Sequence, residues 1–464
     1  MILLLLVWKE VNILKATELD MTHGPLWNKI IIFALPLALT AFLQQLYNAA
    51  DVAVVGRFVG TEAMAAVGTN VSLIGLLINL FMGISLGANV MIARYIGGRD
   101  EEKARAAVHT AFLLALAVGL GLMLLGQLIA RPVLALLEVP DSVMGMAETY
   151  LRVFLCGMPF MGLYNFQAAV FRSRGDTRTP LVALACTSVL NFLLDLIFAA
   201  VCGWGIAGVA AATVIAQLVA AAMLLRVLQR AEGVIRLDFS RLHWDRARNK
   251  EILRIGMPAG IQAMVFSLSN VVIQAAINSL GSDTMAASSA AFTIEINIYC
   301  FIYAFSQATT TFVSQNYGAG KLFRCRRATW LCLGLGNLFM GLLSVLVLLF
   351  GEQLLAIFDS NPAVIALGMV RIWYVVAPSV LNGVLDILSG ALRGYGYSLQ
   401  PAVLALVGIC GVRLAWVYLA FPASPDFATL MFCYPLSWAV TAVFIGLAYR
   451  FYTRNLKVLR IVRG

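Results

Sequence analysis

Charge is scarce in this 464-residue chain. Asp, Glu, Lys and Arg make up 12% of it against 61% apolar residues, which excludes an ordinary soluble domain and leaves a polytopic membrane protein. Other shortages narrow the reading. There is no HExxH and no acid–base pair beside a nucleophile, so the chain is not expected to be an enzyme. The glycine-bearing basic segments Tyr95–Arg99 and Tyr317–Lys321 hold neither a GxGxxG nor a P-loop, and read as turns rather than phosphate cradles. The eight cysteines are scattered with no CxxC pair, which argues against a zinc site or a disulfide frame; neither a structural metal nor a cofactor is expected.

What the chain has instead is long apolar runs. A span needs roughly 20 mainly apolar residues to cross about 30 Å of hydrocarbon. Twelve segments meet that length, at approximately 29–56, 68–93, 107–130, 146–171, 181–202, 205–229, 251–279, 286–315, 328–350, 366–392, 401–421 and 428–451. The predicted fold is therefore an all-α integral membrane protein. The net charge of +10 could suggest nucleic acid, but its distribution decides otherwise. When the N-terminus and every second loop are assigned to one side, that side collects 28 of the 33 Lys and Arg. Only Arg57, Arg131, Arg152, Arg371 and Arg413 lie elsewhere. This is the positive-inside asymmetry, so both termini are expected in the cytoplasm and the lipid bilayer, not nucleic acid, is the partner.

The second half repeats the first. Gly60-Thr61-Glu62-Ala63-Met64-Ala65-Ala66 returns as Gly281-Ser282-Asp283-Thr284-Met285-Ala286-Ala287, and Arg172, Gly175 and Pro180 return as Arg393, Gly396 and Pro401. Pro36 has its counterpart in Pro258, and Arg152…Pro159 in Arg371…Pro378. The expected organisation is a pair of pseudo-symmetric six-helix lobes at 21–229 and 251–451, a polar linker at 230–250, and a basic tail at 452–464. Duplicated membrane bundles of this kind bind and move something between their halves. Residues 1–20 carry an apolar run too short to span, with neither a basic n-region nor a small-residue cleavage site. They are expected to be a non-native or dispensable extension before a start at Met21.

Four acids sit inside apolar stretches: Asp51, Asp195, Glu295 and Asp386, with Arg413 as a comparably deep base. Each costs about 2.5–3.5 kcal/mol on insertion scales, so each raises a functional question. Asn191 stands four residues before Asp195 and Asn48 three before Asp51, on shared helical faces. Thr213 follows a small-residue run that permits close helix approach. Two carboxylates, an amide and a hydroxyl suit a hard cation or a shared proton; the other reading is two unrelated buried acids bonded to nearby backbone. The second half lacks this set. Its Glu295, Asp386 and Arg413 read either as an internal polar network or as lining of a wet cleft.

Taken together, Leu35-Pro36-Leu37, Ala50-Asp51, Val55-Gly56, the loop Arg172–Pro180, Gly205-Ile206-Ala207-Gly208 with Thr213, and Ala391–Gly396 resemble the multidrug and toxic compound extrusion (MATE) transporters. The resemblance runs from about Met21 to the C-terminus. It implies an efflux antiporter of the inner or plasma membrane, expelling bulky, often cationic, amphipathic drugs or toxic metabolites by alternating access in exchange for H⁺ or Na⁺, as a monomer. It places Asp51, Asn191, Asp195 and Thr213 on the family's first-lobe coupling site. The span-seven acid of one family branch has no counterpart in Gln262–Asn270, which puts coupling on the first lobe. Substrate contacts are expected from Gln44, Gln45, Tyr47, Asn48, Asn165, Gln167, Gln262 and Asn270. The alternative is a lipid-linked oligosaccharide flippase of the same superfamily, whose cleft would need several bases for pyrophosphate.

Overall fold

A computed structural model describes residues 19–137 and 139–461; the proposed extension, apart from its last two residues, and the end of the basic tail lie outside them. The described residues form no strand. Among the described residues ten helices are long and apolar enough to cross a membrane, and two bent pairs bring the total to twelve. The protein is an all-helical, multi-pass membrane protein.

The first repeat runs through α1 (Leu26–Phe58), α2 (Thr61–Gly97), α3 (Glu101–Leu136), α4 (Asp141–Leu155), α5 (Met158–Ser173), α6 (Arg178–Asp195) and α7 (Gly205–Arg230). The second runs through α8 (Arg246–Asn278), α9 (Ser282–Gly318), α10 (Leu322–Leu349), the short α11 (Gly351–Ala356), α12 (Pro362–Val375), α13 (Ser379–Gly394), α14 (Leu399–Ala405), α15 (Val412–Ala415), α16 (Phe427–Met431) and α17 (Cys433–Ile461). The expected fourth and tenth spans are each broken in two, bent by 47° between α4 and α5 and by 41° between α12 and α13. Pro159 stands just past the first break and Pro378 at the end of the second, where a proline at a helix start loses no hydrogen bond.

The repeat extends to backbone conformation. Gly60 and Gly281 turn α1 into α2 and α8 into α9 at φ 121° and 102°, a region that favours glycine. Gly175 and Gly396, at φ 96° and 95°, do the same service before α6 and α14.

Contacts divide the described residues into two compact units, one from residues 19–23 and 39–257, the other from residues 24–38 and 258–461. The division cuts through two helices, two residues past Pro36 in α1 and immediately before Pro258 in α8. Within the second unit, Phe33 meets Phe312 edge to face at 5.8 Å, and Arg324 donates to the Gly24 carbonyl at 2.8 Å. Within the first, Gly87 of α2 lies against the Ile252 and Gly256 backbone of α8, an approach that only small residues allow.

The polar stretch 230–250 packs onto the first unit. Ile235 and Leu237 are buried, the Leu237 N–H donates to the Leu228 carbonyl at 3.2 Å, and the Phe239 ring meets Phe112 at 5.8 Å. In the second unit, Ser306, Thr310 and Ser314, one turn apart on α9, donate to the carbonyls of Asp386, Gly390 and Gly394 at 2.8, 3.0 and 3.3 Å. Hydroxyls on one helix and glycines on the other hold α9 and α13 together where apolar burial against lipid gives little.

Candidate ion-coupling site

The polar set of the first unit is assembled by three separate parts of the chain. α1 brings Tyr47 and Asp51, α6 brings Asn191 and Asp195, and α7 brings Thr213. Asp195 is the last α-helical residue of α6; the chain continues as one π-helical turn, Leu196–Val201. Such turns inside membrane helices often coincide with sites.

All four coupling candidates are buried, Asp195 completely. The Thr213 hydroxyl donates to Asp51 Oδ2 at 3.4 Å. In the orientation that gives both ends of the Asn191 amide a partner, Nδ2 donates to Asp51 Oδ1 at 2.8 Å and to Asp195 Oδ2 at 3.3 Å, while its oxygen accepts from the Tyr47 hydroxyl at 3.3 Å. One amide therefore ties two carboxyls together. Asp195 Oδ1 is buried with no hydrogen-bond partner among the described residues. Among the described residues no Lys or Arg pairs with either acid, so the site has acceptor capacity to spare. Tyr150 of α4 is buried close enough to interact electrostatically with both acids; sequence reasoning missed it. In the chain it stands between Glu148-Thr149 and Arg152, a setting that by itself points nowhere.

The second unit arranges its charges differently from the single network expected of Glu295, Asp386 and Arg413. Glu295 binds Arg371 through two bonds, Nε to Oε2 at 3.1 Å and Nη2 to Oε1 at 2.5 Å, and Arg371 Nη1 donates to Ser288 at 2.6 Å. Arg413 is thus not alone as a deep base, since Arg371 is only 3% exposed. Arg413 donates to Ser437 and to Asn270 Oδ1, each at 3.1 Å, and lies 4.3 Å over the Tyr434 ring that Arg371 also faces at 5.8 Å. Asp386 stands apart from both, in the field of Arg393.

The substrate candidates are dispersed. Gln44, Gln45 and Tyr47 are half-buried and Asn48 and Asn270 exposed. Asn165 donates to the Met161 carbonyl of its own helix at 2.9 Å. Gln262 is buried and accepts from Arg393 at 2.9 Å, so its amide is already engaged. Gln167 is buried with neither end of its amide bonded, beside a small cavity lined by Val108, Phe112, Leu228 and Leu237. Gly83-Ile84-Ser85-Leu86-Gly87 spells the GxSxG of hydrolases. Ser85, however, lies mid-helix in α2, 1% exposed, and donates to the Met82 carbonyl at 3.0 Å, which is not a nucleophile on a strand-to-helix turn.

The sequence profile described as MatE matches residues 36–197 and matches again at 258–419. The chain belongs to the MatE family. Like other MatE proteins it is a membrane transporter and not an enzyme. Among its MatE relatives, the probable multidrug resistance protein YoeA of Bacillus subtilis (strain 168) is 26% identical, over 94% of this chain and 96% of the relative. The probable multidrug resistance protein NorM of Thermotoga maritima is 28% identical, covering 83% and 84% of the two chains. An FAD transporter of Shewanella oneidensis is 27% identical over 87% and 86%. Among solved structures, a MATE protein in the bent conformation superposes with a TM-score of 0.89 at 21% identity, over 95% of this chain and 98% of that one. An outward-facing MATE transporter of the MOP superfamily does so at 0.88 and 22%, over 96% and 99%. The two MatE matches are offset by 222 residues, close to the spacing at which the motifs recur.

Proposed function

We propose that this MatE protein is a multidrug efflux antiporter of the cell membrane, working as a monomer with both termini in the cytoplasm. It exports amphipathic, often cationic compounds in exchange for H⁺ or Na⁺ by alternating access. The observation that carries the coupling is the first-unit pocket, in which Asn191 bridges Asp51 and Asp195 and one oxygen of Asp195 is left without a partner among the described residues. The multidrug substrate class is supported by the names of the YoeA and NorM relatives.

Two ionised carboxylates sharing one amide repel each other, and a proton or Na⁺ arriving there removes that repulsion. Asn191 and the Thr213 hydroxyl orient the carboxylates; Tyr47 holds the far end of the amide. The occupied pocket draws α1 toward α6 and α7, with α1 bending at Pro36, where the ring has removed a backbone hydrogen bond. That reshapes the first-unit surface offered to the substrate. The ion drives transport only through its unequal affinity for the two conformations.

The test is efflux of a fluorescent cationic dye from proteoliposomes under separate Na⁺ and H⁺ gradients. Wild type should move dye under one of them, and Asp51→Asn and Asp195→Asn should each abolish the gradient-driven component. Efflux surviving in both variants at equal protein level would sink the coupling site. No dye movement by folded wild type would sink the antiport.

A further inference from the structure

Arg413 is 5% exposed, and among the described residues no carboxylate pairs with it. Its Nε and Nη1 are held by Ser437 and Asn270, and Nη2 carries no bond to a described residue. The rings of Tyr434 and Trp438, neighbours on α17, lie 4.3 and 6.0 Å from the guanidinium on one side of it. Arg371 differs, because Glu295 satisfies its charge.

Arg413 lies in the second half's counterpart of the span that carries Asn191 and Asp195. At the 221-residue spacing of Arg172/Arg393 and Pro180/Pro401, those two residues fall on Val412 and Trp416. The second half thus has apolar residues at these positions and a base one residue beyond the first of them. A second observation points to access. Asn270, Gln274 and Asn278 follow one another four residues apart along the exposed side of α8, and Gln274 Nε2 donates to Asn278 Oδ1 at 2.9 Å. A row of amides on a membrane-crossing helix faces water and not lipid, since hydrocarbon offers their polar atoms no partners. The row leads from the end of the helix to Asn270, which holds Arg413.

We propose that Arg413, presented by Asn270, is an anion-recognition point for the carboxylate or phosphate group of a transported amphiphile. The substrates of this MatE protein then include zwitterions and anions as well as cations. A planar guanidinium with a free N–H edge meets either group in its own plane, while Tyr434 and Trp438 supply an apolar wall for the rest of the molecule. The proposal rests on the transport reading above, but its first test is binding.

The probes are dansylglycine and its methyl ester, read by energy transfer from tryptophan in purified protein in phosphatidylcholine vesicles. Wild type should bind the acid about tenfold more tightly than the ester, as a charge-assisted hydrogen bond warrants. Arg413→Gln should erase that preference and leave ester binding unchanged, and Arg413→Lys should retain part of it. Equal affinities in wild type, or an undiminished preference in Arg413→Gln, would overturn the proposal. If Arg413→Gln fails to fold, Asn270→Ala takes its place, with a preference reduced about threefold on loss of one orienting bond; an unaltered preference there overturns it equally. Displacement of dansylglycine by added phosphatidylglycerol would assign the site to a lipid headgroup and overturn its role in substrate recognition. An acid preference in protein that moves no dye under any gradient would sink the efflux reading alone. Ester efflux with no acid preference would sink this one alone.

Discussion

Arg371 is buried and Glu295 partly so, with side chains 4% and 13% exposed, and each is the other's only charge partner among the described residues. Removing one member leaves an uncompensated charge in low dielectric, which costs more than the intact pair contributes. Glu295→Gln is therefore expected to lower stability by about 3 kcal/mol, read by thermal unfolding in detergent, with Ser288 and the Tyr434 ring too weak to compensate. Replacing both residues by Met should recover most of the loss; a double variant as unstable as the single one would show that the pair does more than neutralise itself. Nothing in the chain joins these residues beforehand. They are 76 positions apart on different helices, and Arg371 reads as one of a few bases outside the basic loops. Asp51 and Asp195 were easier to single out, because an acid in an apolar run is conspicuous and Asn191 precedes Asp195 by one helical turn. The amide's bridge between the two acids was not legible, since it depends on how α1 approaches α6.

Helices in this protein approach as closely as their glycines allow. A Cβ at Gly390 would lie 2.6 Å from the Ser306 carbonyl oxygen, whereas one at Gly334 on α10 would meet nothing within 4 Å. Gly390→Ala must push α13 off α9 and disturb the Thr310 and Ser306 hydroxyl bonds, at a cost of about 1–3 kcal/mol. Gly334→Ala should be neutral or stabilising by up to about 1 kcal/mol from helix propensity. Equal unfolding temperatures for the two variants would contradict the close packing. The start of α16 offers a different test. Asp426 caps it by accepting from the Thr429 N–H at 2.9 Å. The Thr429 hydroxyl and then that N–H hold the Asp426 carboxyl below its ordinary range. A lowered folded value means the cap stabilises at pH above the ordinary carboxylate value and fades as pH falls through the lowered one. Hydrogen-exchange protection of the Thr429 amide should accordingly drop below about pH 4 in wild type. Asp426→Asn should keep the cap without that dependence, and Asp426→Ala should lose about 1 kcal/mol of local stability near neutral pH and little of it at low pH, where the wild-type cap has faded. The π-helical turns after Asp195 and around Arg413 could not be read from the chain, because the residues in them are ordinary helix residues of membrane spans.

The duplication was visible as matched motifs because both halves solve the same turn problems with the same residues, down to Gly60 and Gly281. The exchange of segments was not visible: residues 24–38 pack with the second unit although α1 continues into the first. A helix carries no sequence mark of the bundle that each of its turns joins. Topology sits between these cases, since it depends on charge and not on packing. Arg99 and Cys202 are both exposed, one in the basic turn after α2 and the other in the base-free turn before α7. If basic loops are retained on the cytoplasmic side, the two positions face opposite sides of the membrane. Cys156 is the other exposed cysteine, so its replacement by Ser clears the background. In intact cells a membrane-impermeant maleimide should then label Cys202, and Cys202→Ser should abolish the signal. Arg99→Cys in a chain lacking both exposed cysteines should react only after the membrane is opened. The reverse pattern would place both termini outside and with them the basic loops, against the electrical bias that orients membrane spans. It would also reverse the direction in which a gradient-loaded Asp51–Asp195 pair could drive its substrate.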